Sequence, residues 1–323
     1  MATAVRVLLT YLQSWIFLWI AARAFRSDAT AMLTASSFIT GIVLAAGLSL
    51  AGVGQTSMQD AGFDRTSFGV RDPNENALLF GMGLVGCLIA GIRASKARKL
   101  FLLAPVPLLA VALAQSGSRT GLLVTVTGLA AMLFVGVLTA RTRWFTLMIG
   151  LVGIACLSAV ALNSDGLLYR VEKTIFERDT SLRQDLFAAT WEAFSERPIL
   201  GWGEGLVYQE VAQRYGYSQR DWGEVSHNEL LGTLATTGVV GSLPVLLAAG
   251  FAFFRAWQCR QTNRGLLAFV FLTMVMVASL TLTVHYLKAT WLTLAFAGTC
   301  IPPILQHRSK QEENQTWTPK TNP

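Results

Sequence analysis

Residues 76–99 read NALLFGMGLVGCLIAGIRASKARK: seventeen uncharged, mostly apolar positions, then Arg93, Lys96, Arg98 and Lys99 within seven. A run of that character is a membrane-crossing helix, which needs about 20 mostly apolar residues to span the hydrocarbon. The basic cluster that follows says which side its end faces, because Lys and Arg are retained in cytoplasmic loops. The same alternation runs through the chain. Apolar segments are predicted near 4–22, 29–53, 76–92, 100–115, 120–140, 144–163, 229–254, 265–284 and 290–306. Arg23 and Arg26, then Arg141 and Arg143, then Arg255, Arg260 and Arg264, then Arg308 and Lys310 all fall on the side of the 93–99 cluster. That side is read as cytoplasm, so the N-terminus and the segments 55–75, 116–120, 164–226 and 285–289 face outward.

Composition agrees with a chain whose solvent is a bilayer: 53% hydrophobic and 14% charged residues, with mean hydropathy +0.47, is too apolar for a soluble domain. The expected fold is therefore all-α, a polytopic transmembrane bundle of about nine helices. Residues 1–163 hold six of them, 164–226 form one large extracytoplasmic loop with amphipathic helices, 227–306 hold three more, and 307–323 are a polar, disordered tail. The first helix lacks a small-residue cleavage pattern before Arg23, so it reads as a retained span, not a signal peptide. The 164–226 loop carries eleven acidic and seven basic side chains. The net charge of +7 thus resides in the cytoplasmic loops and reports orientation, not nucleic-acid binding. Cys87, Cys156, Cys259 and Cys300 form no CxxC pair and read as buried small apolar residues.

Three outward-facing residues share an arrangement. Arg119, in the tight turn Ser116-Gly117-Ser118-Arg119-Thr120-Gly121, begins a helix. Arg183 follows Ser181, and Ser181-Leu182-Arg183-Gln184 reads as a capping box with Arg183 in the first turn. This helix ends before Pro198, with Phe187, Trp191 and Phe194 on one face and Asp185, Glu192 and Glu196 on another, so it suits a membrane surface. His227 stands in Ser226-His227-Asn228-Glu229, a second capping box that puts it in the first turn of helix seven, where the positive helix end favours a neutral, proton-accepting imidazole. Each has a plainer reading: a snorkelling arginine, an arginine near Asp179 or Asp185, a structural histidine. Cations in a first turn oppose the helix dipole; their recurrence makes sense where the bound ligand is an anion, and a diphosphate suits guanidinium forks and free helical N–H groups. Gly201-Trp202-Gly203-Glu204-Gly205 follows a helix and a proline, not a strand, and reads as a flexible turn instead of a dinucleotide fingerprint. No HExxH, paired-histidine or DxD pattern points to a metal, and no cofactor is expected. Asp72-Pro73-Asn74 reads as a turn and helix cap.

In their order, Ser118-Arg119, Arg183 with Trp191, Arg197-Pro198-Ile199-Leu200-Gly201-Trp202-Gly203, His227-Asn228-Glu229-Leu230-Leu231 and Thr237-Gly238-Val239-Val240-Gly241 resemble the O-antigen ligase and polymerase family, over roughly residues 70 to 305. The resemblance implies a bacterial inner-membrane glycosyltransferase that takes a glycan from an undecaprenyl-diphosphate carrier on the periplasmic side, metal-independent and inverting. The acceptor is lipid A core for a ligase or a growing polysaccharide for a polymerase. It implies that Arg119 and Arg183 contact the diphosphate and that His227 lies at the reaction centre. Glu204, Asp221 and Glu224 stand as fallback bases and Asn228 as an accessory residue. Family members usually carry ten to twelve helices, so nine implies a missing N-terminal part. Two readings from other classes compete. A flippase for lipid-linked sugars would place ionisable groups near the bilayer midplane and show internal repeats. A non-catalytic component of an export complex would give the three residues no shared purpose.

Overall fold

The computed structural model describes residues 2–60, 63–69, 72–92, 94–138, 143–164, 168–169, 172–173, 176, 183–207, 210–211 and 227–302. In chain order the elements are α1 (Ala2–Ala24), α2 (Asp28–Leu50), β1 (Gln55–Asp60), β2 (Phe63–Phe68), α3 (Pro73–Ile92), α4 (Lys96–Leu103), α5 (Pro105–Gln115), α6 (Arg119–Leu138) and α7 (Arg143–Leu162). After them come α8 (Arg183–Glu196), α9 (Glu229–Gln258), α10 (Asn263–Ser279) and α11 (Lys288–Gly298). The tail beyond 302, with the disorder expected of it, lies outside the described residues.

The opening stretch, α3, is the centre of the bundle: 89% of its apolar window is buried, and it packs against α2, α5, α6, α7 and α10. Its glycines permit this. A Cβ on Gly81 would run into Thr125 of α6, and one on Gly83 into Ile42 of α2, so small residues set how closely the helix axes approach. Around this core the molecule is inverted relative to a soluble protein. Leu8, Leu12, Trp15, Ile16 and Trp19 of α1 are exposed, as are Val239, Leu243, Leu247, Phe251 and Phe254 of α9. Apolar faces that large are stable in lipid.

The polytopic helical bundle is present, with two corrections. Among the described residues, five helices are long and apolar enough to cross a membrane: Asp28–Leu50, Pro73–Ile92, Arg98–Gln115, Arg119–Gly136 and Glu229–Gln258. That is fewer than about nine. α11 has 11 residues and is only about 16 Å long at 1.5 Å per residue, roughly half the hydrocarbon thickness. Nor is the chain all-α: β1 and β2 form an antiparallel hairpin with Gln55 opposite Phe68. Thr66 Oγ1 of this hairpin donates to the Gln115 carbonyl (3.2 Å) at the end of α5.

α8 is a helix where a helix is expected, and one of its faces is buried in protein. Leu186, Ala189 and Ala193 are buried with Val207, Val211 and Ala235, while Trp191 is exposed. Small residues let α8 lie close along α9, so protein covers this face.

Candidate active site

Several helix N-termini meet at one end of the bundle. Pro73 opens α3 where its missing N–H costs nothing, and the Asp72 carboxylate accepts the Asn74 N–H at 2.6 Å, capping the helix as expected. Asn76 Nδ2 donates to Ser67 Oγ (2.9 Å) and ties α3 to the hairpin. Ser118 caps α6: its Oγ accepts the Gly121 N–H (3.0 Å) and donates to Asn74 Oδ1 (2.7 Å). Arg119 is therefore the first residue of α6, fastened to the start of α3.

From α3 the network reaches the loop between α10 and α11. Tyr286 donates its hydroxyl proton to Glu75 Oε1 at 2.7 Å. Burial, reinforced by Glu75, Asp72 and Glu229, pushes the Tyr286 phenol well above its ordinary value, so it stays a donor. Beside it, His285 Nδ1 lies 3.0 Å from Glu229 Oε1. The same carboxylate accepts the backbone N–H groups of Val284 (2.8 Å) and His285 (3.1 Å) and the Thr233 hydroxyl (3.2 Å). Burial alone would lower the His285 pKa, but the hydrogen bond and charge of Glu229, with the charge of Glu204, outweigh it and raise the pKa above its ordinary value. The Tyr11 ring stacks on the imidazole (centroids 5.4 Å apart, 15° between planes), and its hydroxyl donates to Glu204 Oε2 at 3.4 Å. Tyr11, Glu204, Asn228, Glu229, Thr233 and His285 are among the residues lining a narrow, partly open cleft.

The floor of this cleft is a broken helix. Gly238 has φ 63 and ψ −172 in the middle of α9, a conformation almost restricted to glycine. The break frees backbone groups that the chain after α8 takes up. Val239 and Val240 N–H donate to the carbonyls of Pro198 (2.8 Å) and Ile199 (3.2 Å), while the Ala235 and Thr236 carbonyls accept from Trp202 (3.0 Å) and Gly203 (2.8 Å). Gly201, with φ 69, lies so close to Thr236 that a Cβ would sit 2.5 Å from its carbonyl carbon. Trp202 Nε1 donates to the Ala193 carbonyl (2.6 Å), and the Arg197 guanidinium lies 3.9 Å over its ring. The glycine-dense segment is thus a clamp on α9 in place of the flexible turn expected, and it carries Glu204 to the cleft.

The residues selected by sequence are distributed as follows. Arg119 opens α6, Arg183 opens α8, and Glu204 and Asn228 line the cleft. Ser181, Asp221 and Glu224 lie outside the described residues. The capping box at Ser226 is corrected: Asn228 is the N-cap, its side chain accepting the Leu231 N–H at 3.0 Å, and Glu229 opens α9. His227 stands before the helix, not in its first turn, and adopts the left-handed conformation with φ 46. Asn competes well as a cap, and an acid at the first helical position gains from the dipole that a histidine there would oppose once charged. Sequence reasoning passed over Glu229, His285, Tyr11, Glu75 and Tyr286. The usable signals were a glutamate directly after a cap and the scarcity of histidine, three in 323 residues.

Residues 104–246 match the family model described as O-antigen ligase, which shows the resemblance for that interval. It runs from the end of α4 to α9 just beyond the break, and so contains Arg119, Arg183, Glu204, His227 and Asn228 but not His285. No curated protein matches the chain.

Proposed function

We propose that this O-antigen ligase-type chain transfers a glycan from an undecaprenyl-diphosphate carrier to an acceptor hydroxyl, lipid A core or a growing polysaccharide, on the periplasmic side of the bacterial inner membrane. The observation that carries the reading is the pair of arginines at helix starts, Arg119 on α6 and Arg183 on α8, both inside the interval that matches the family. Cations at these positions are disfavoured by the helix dipole and gain from an anion. They bind the diphosphate and stabilise the charge that grows on it as the anomeric C–O bond breaks. His227, adjacent to the cleft residue Asn228, orients or deprotonates the acceptor. Its left-handed backbone is of the kind that clusters at active sites, and histidine is among the residues that tolerate it. The transfer is a direct, inverting displacement that needs no metal.

Transfer from a purified carrier-linked glycan tests this. Arg119→Ala and Arg183→Ala each lower turnover by about 10²–10³, the range for removal of one group that stabilises developing charge; wild-type turnover in both variants sinks the reading. Orientation is tested separately. A cysteine at Gly203 reacts with an impermeant thiol reagent in cells whose outer membrane has been permeabilised, and one at Ser95 does not; the reverse pattern places the site in the cytoplasm.

A further inference from the structure

The cleft differs from a diphosphate site in its chemistry. Glu204 and Glu229 put two carboxylates on its wall, beside Asn228, the Thr233 and Thr237 hydroxyls and the Tyr11 ring, and its lining includes no Lys or Arg among the described residues. Such a surface repels a diphosphate and offers what a sugar uses: acceptors and donors for hydroxyl groups, and an aromatic edge. Within it, His285 has both orientation and a spare nitrogen. Glu229 engages Nδ1, Tyr11 holds the ring plane, and Trp291 Nε1 donates to the His285 carbonyl and fixes the backbone. Nε2 has no hydrogen-bond partner among the described residues. A carboxylate on one imidazole nitrogen sets the tautomer and leaves the other to take a proton, the arrangement general bases share.

We propose that His285 is the catalytic base for the acceptor, that Glu229 is its positioning residue, and that the narrow cleft around them receives the acceptor's reacting hydroxyl. The inference rests on the glycosyl-transfer reading and, of the two roles open to His227 there, leaves it the orienting one. In the step, a lone pair of the acceptor oxygen forms the new bond to the anomeric carbon of the donor. The old C–O bond breaks with its electrons passing to the diphosphate, and the acceptor's O–H proton passes to Nε2. The imidazolium so formed is held by Glu229 and afterwards loses the proton to water.

Among the described residues, the charged and titratable groups around His285 are Glu229 of α9, Glu204 of the clamp, Tyr11 of α1, Tyr286 with its Glu75 of α3, and Lys288 of α11. The last donates to Ser14 (3.0 Å). The carboxylates keep the imidazole protonated to a higher pH than usual, so the neutral, reactive form appears only above that raised value. Transfer therefore rises with pH along a limb that lies above the ordinary 6.5 of histidine.

The test measures transfer against pH for the full chain in detergent or nanodiscs, with folding monitored by thermal unfolding. His285→Gln lowers kcat by about 10²–10⁴-fold with the donor KM unchanged, and added imidazole partly rescues His285→Gly. Glu229→Gln lowers kcat less and moves the limb down toward pH 6.5. Because Glu229 also accepts two backbone N–H groups, the second measurement does not depend on its folding or on activity. Histidine ring resonances of the wild type, assigned by their loss in His285→Gln, place the His285 titration above that of an unperturbed histidine. Wild-type kcat in His285→Gln, failure of imidazole to rescue, a limb unmoved in folded Glu229→Gln, or an unshifted His285 titration each overturns the inference while transfer by the wild type stands. A wild type that transfers nothing overturns the glycosyl-transfer reading itself, and this inference with it.

Discussion

The two ends of the bundle both bury charge, and they do so in opposite ways. At the end where α9 finishes, Arg264 is 4% exposed and its guanidinium is enclosed. Nη1 donates to Asp28 Oδ1 at 2.6 Å, Nη2 to Thr299 Oγ1 and the Phe296 carbonyl, and the Phe296 ring lies 5.3 Å away. Arg260 nearby lies 3.8 Å over Trp257. Arg264 pins α2, α10 and α11 together. At the end where α9 begins, the carboxylate of Glu229 is likewise saturated, but its partner His285 keeps a nitrogen for whatever enters the cleft. A buried cation whose two Nη groups both bind protein, away from the cleft, is architecture even though its Nε stays unpaired; a buried carboxylate whose partner faces a cleft with a nitrogen unspent can do chemistry.

The contrast can be broken first at the backbone. Gly238→Ala puts a Cβ against the Ile199 carbonyl at a φ of 63. Strain of that kind costs about 3 kcal/mol, enough to displace the clamp and with it Glu204. Unfolding by denaturant reports the stability loss, and the cleft end bears it: transfer per folded molecule falls too. An unchanged midpoint would mean that the break in α9 is tolerant and the clamp incidental.

Arg264→Met probes the other end. Its partner Asp28 has 61% of its side chain exposed and is rehydrated when the arginine goes, so the ion pair itself contributes little. What remains is the loss of hydrogen bonds to Thr299 and Phe296, offset by removing a desolvated cation. The expected cost is about 1–2 kcal/mol of stability, with transfer per folded molecule unchanged. Loss of transfer in a stable Arg264→Met protein would end the distinction between the two ends.

What the sequence made legible follows from the reach of each signal. Apolar length and basic flanks are local, so the bundle, the α5–α6 turn with Arg119, and the start of α8 were readable. The hairpin was not, because QTSMQD and FDRTSF show no clean alternation of apolar and polar residues, the pattern that marks a half-buried strand. Ser226-His227-Asn228-Glu229 contains two residues able to cap, and only the fold selects Asn228. Gly201 looked like a local turn signal and Gly238 lay inside an expected continuous helix, whereas each is required by the backbone of the other's segment. Glu229 and His285 are 56 positions apart, and nothing in either neighbourhood names its partner.

The smallest change separates the two jobs of Tyr11. Its ring stacks on His285, while its hydroxyl reaches Glu204 over 3.4 Å, longer than the usual 2.5–3.0 Å of an O–H to oxygen bond. A bond that long contributes at the low end of the range for neutral groups, about 0.5 kcal/mol, even with a carboxylate as acceptor. Tyr11→Phe keeps the ring and loses only the hydroxyl, so transfer falls by roughly two- to threefold, the factor that such an energy sets. Tyr11→Leu removes the stacked face as well. An aromatic pair contributes about 0.5–1.5 kcal/mol beyond area burial, and without it the imidazole plane is held by Glu229 and the edge-on Tyr286 ring only, so the second variant falls further than the first. Steady-state transfer at a pH above the His285 limb compares them, because there the imidazole is neutral in both and only its orientation differs. Equal activities for Phe and Leu would mean that Tyr11 fills space and does not align the histidine.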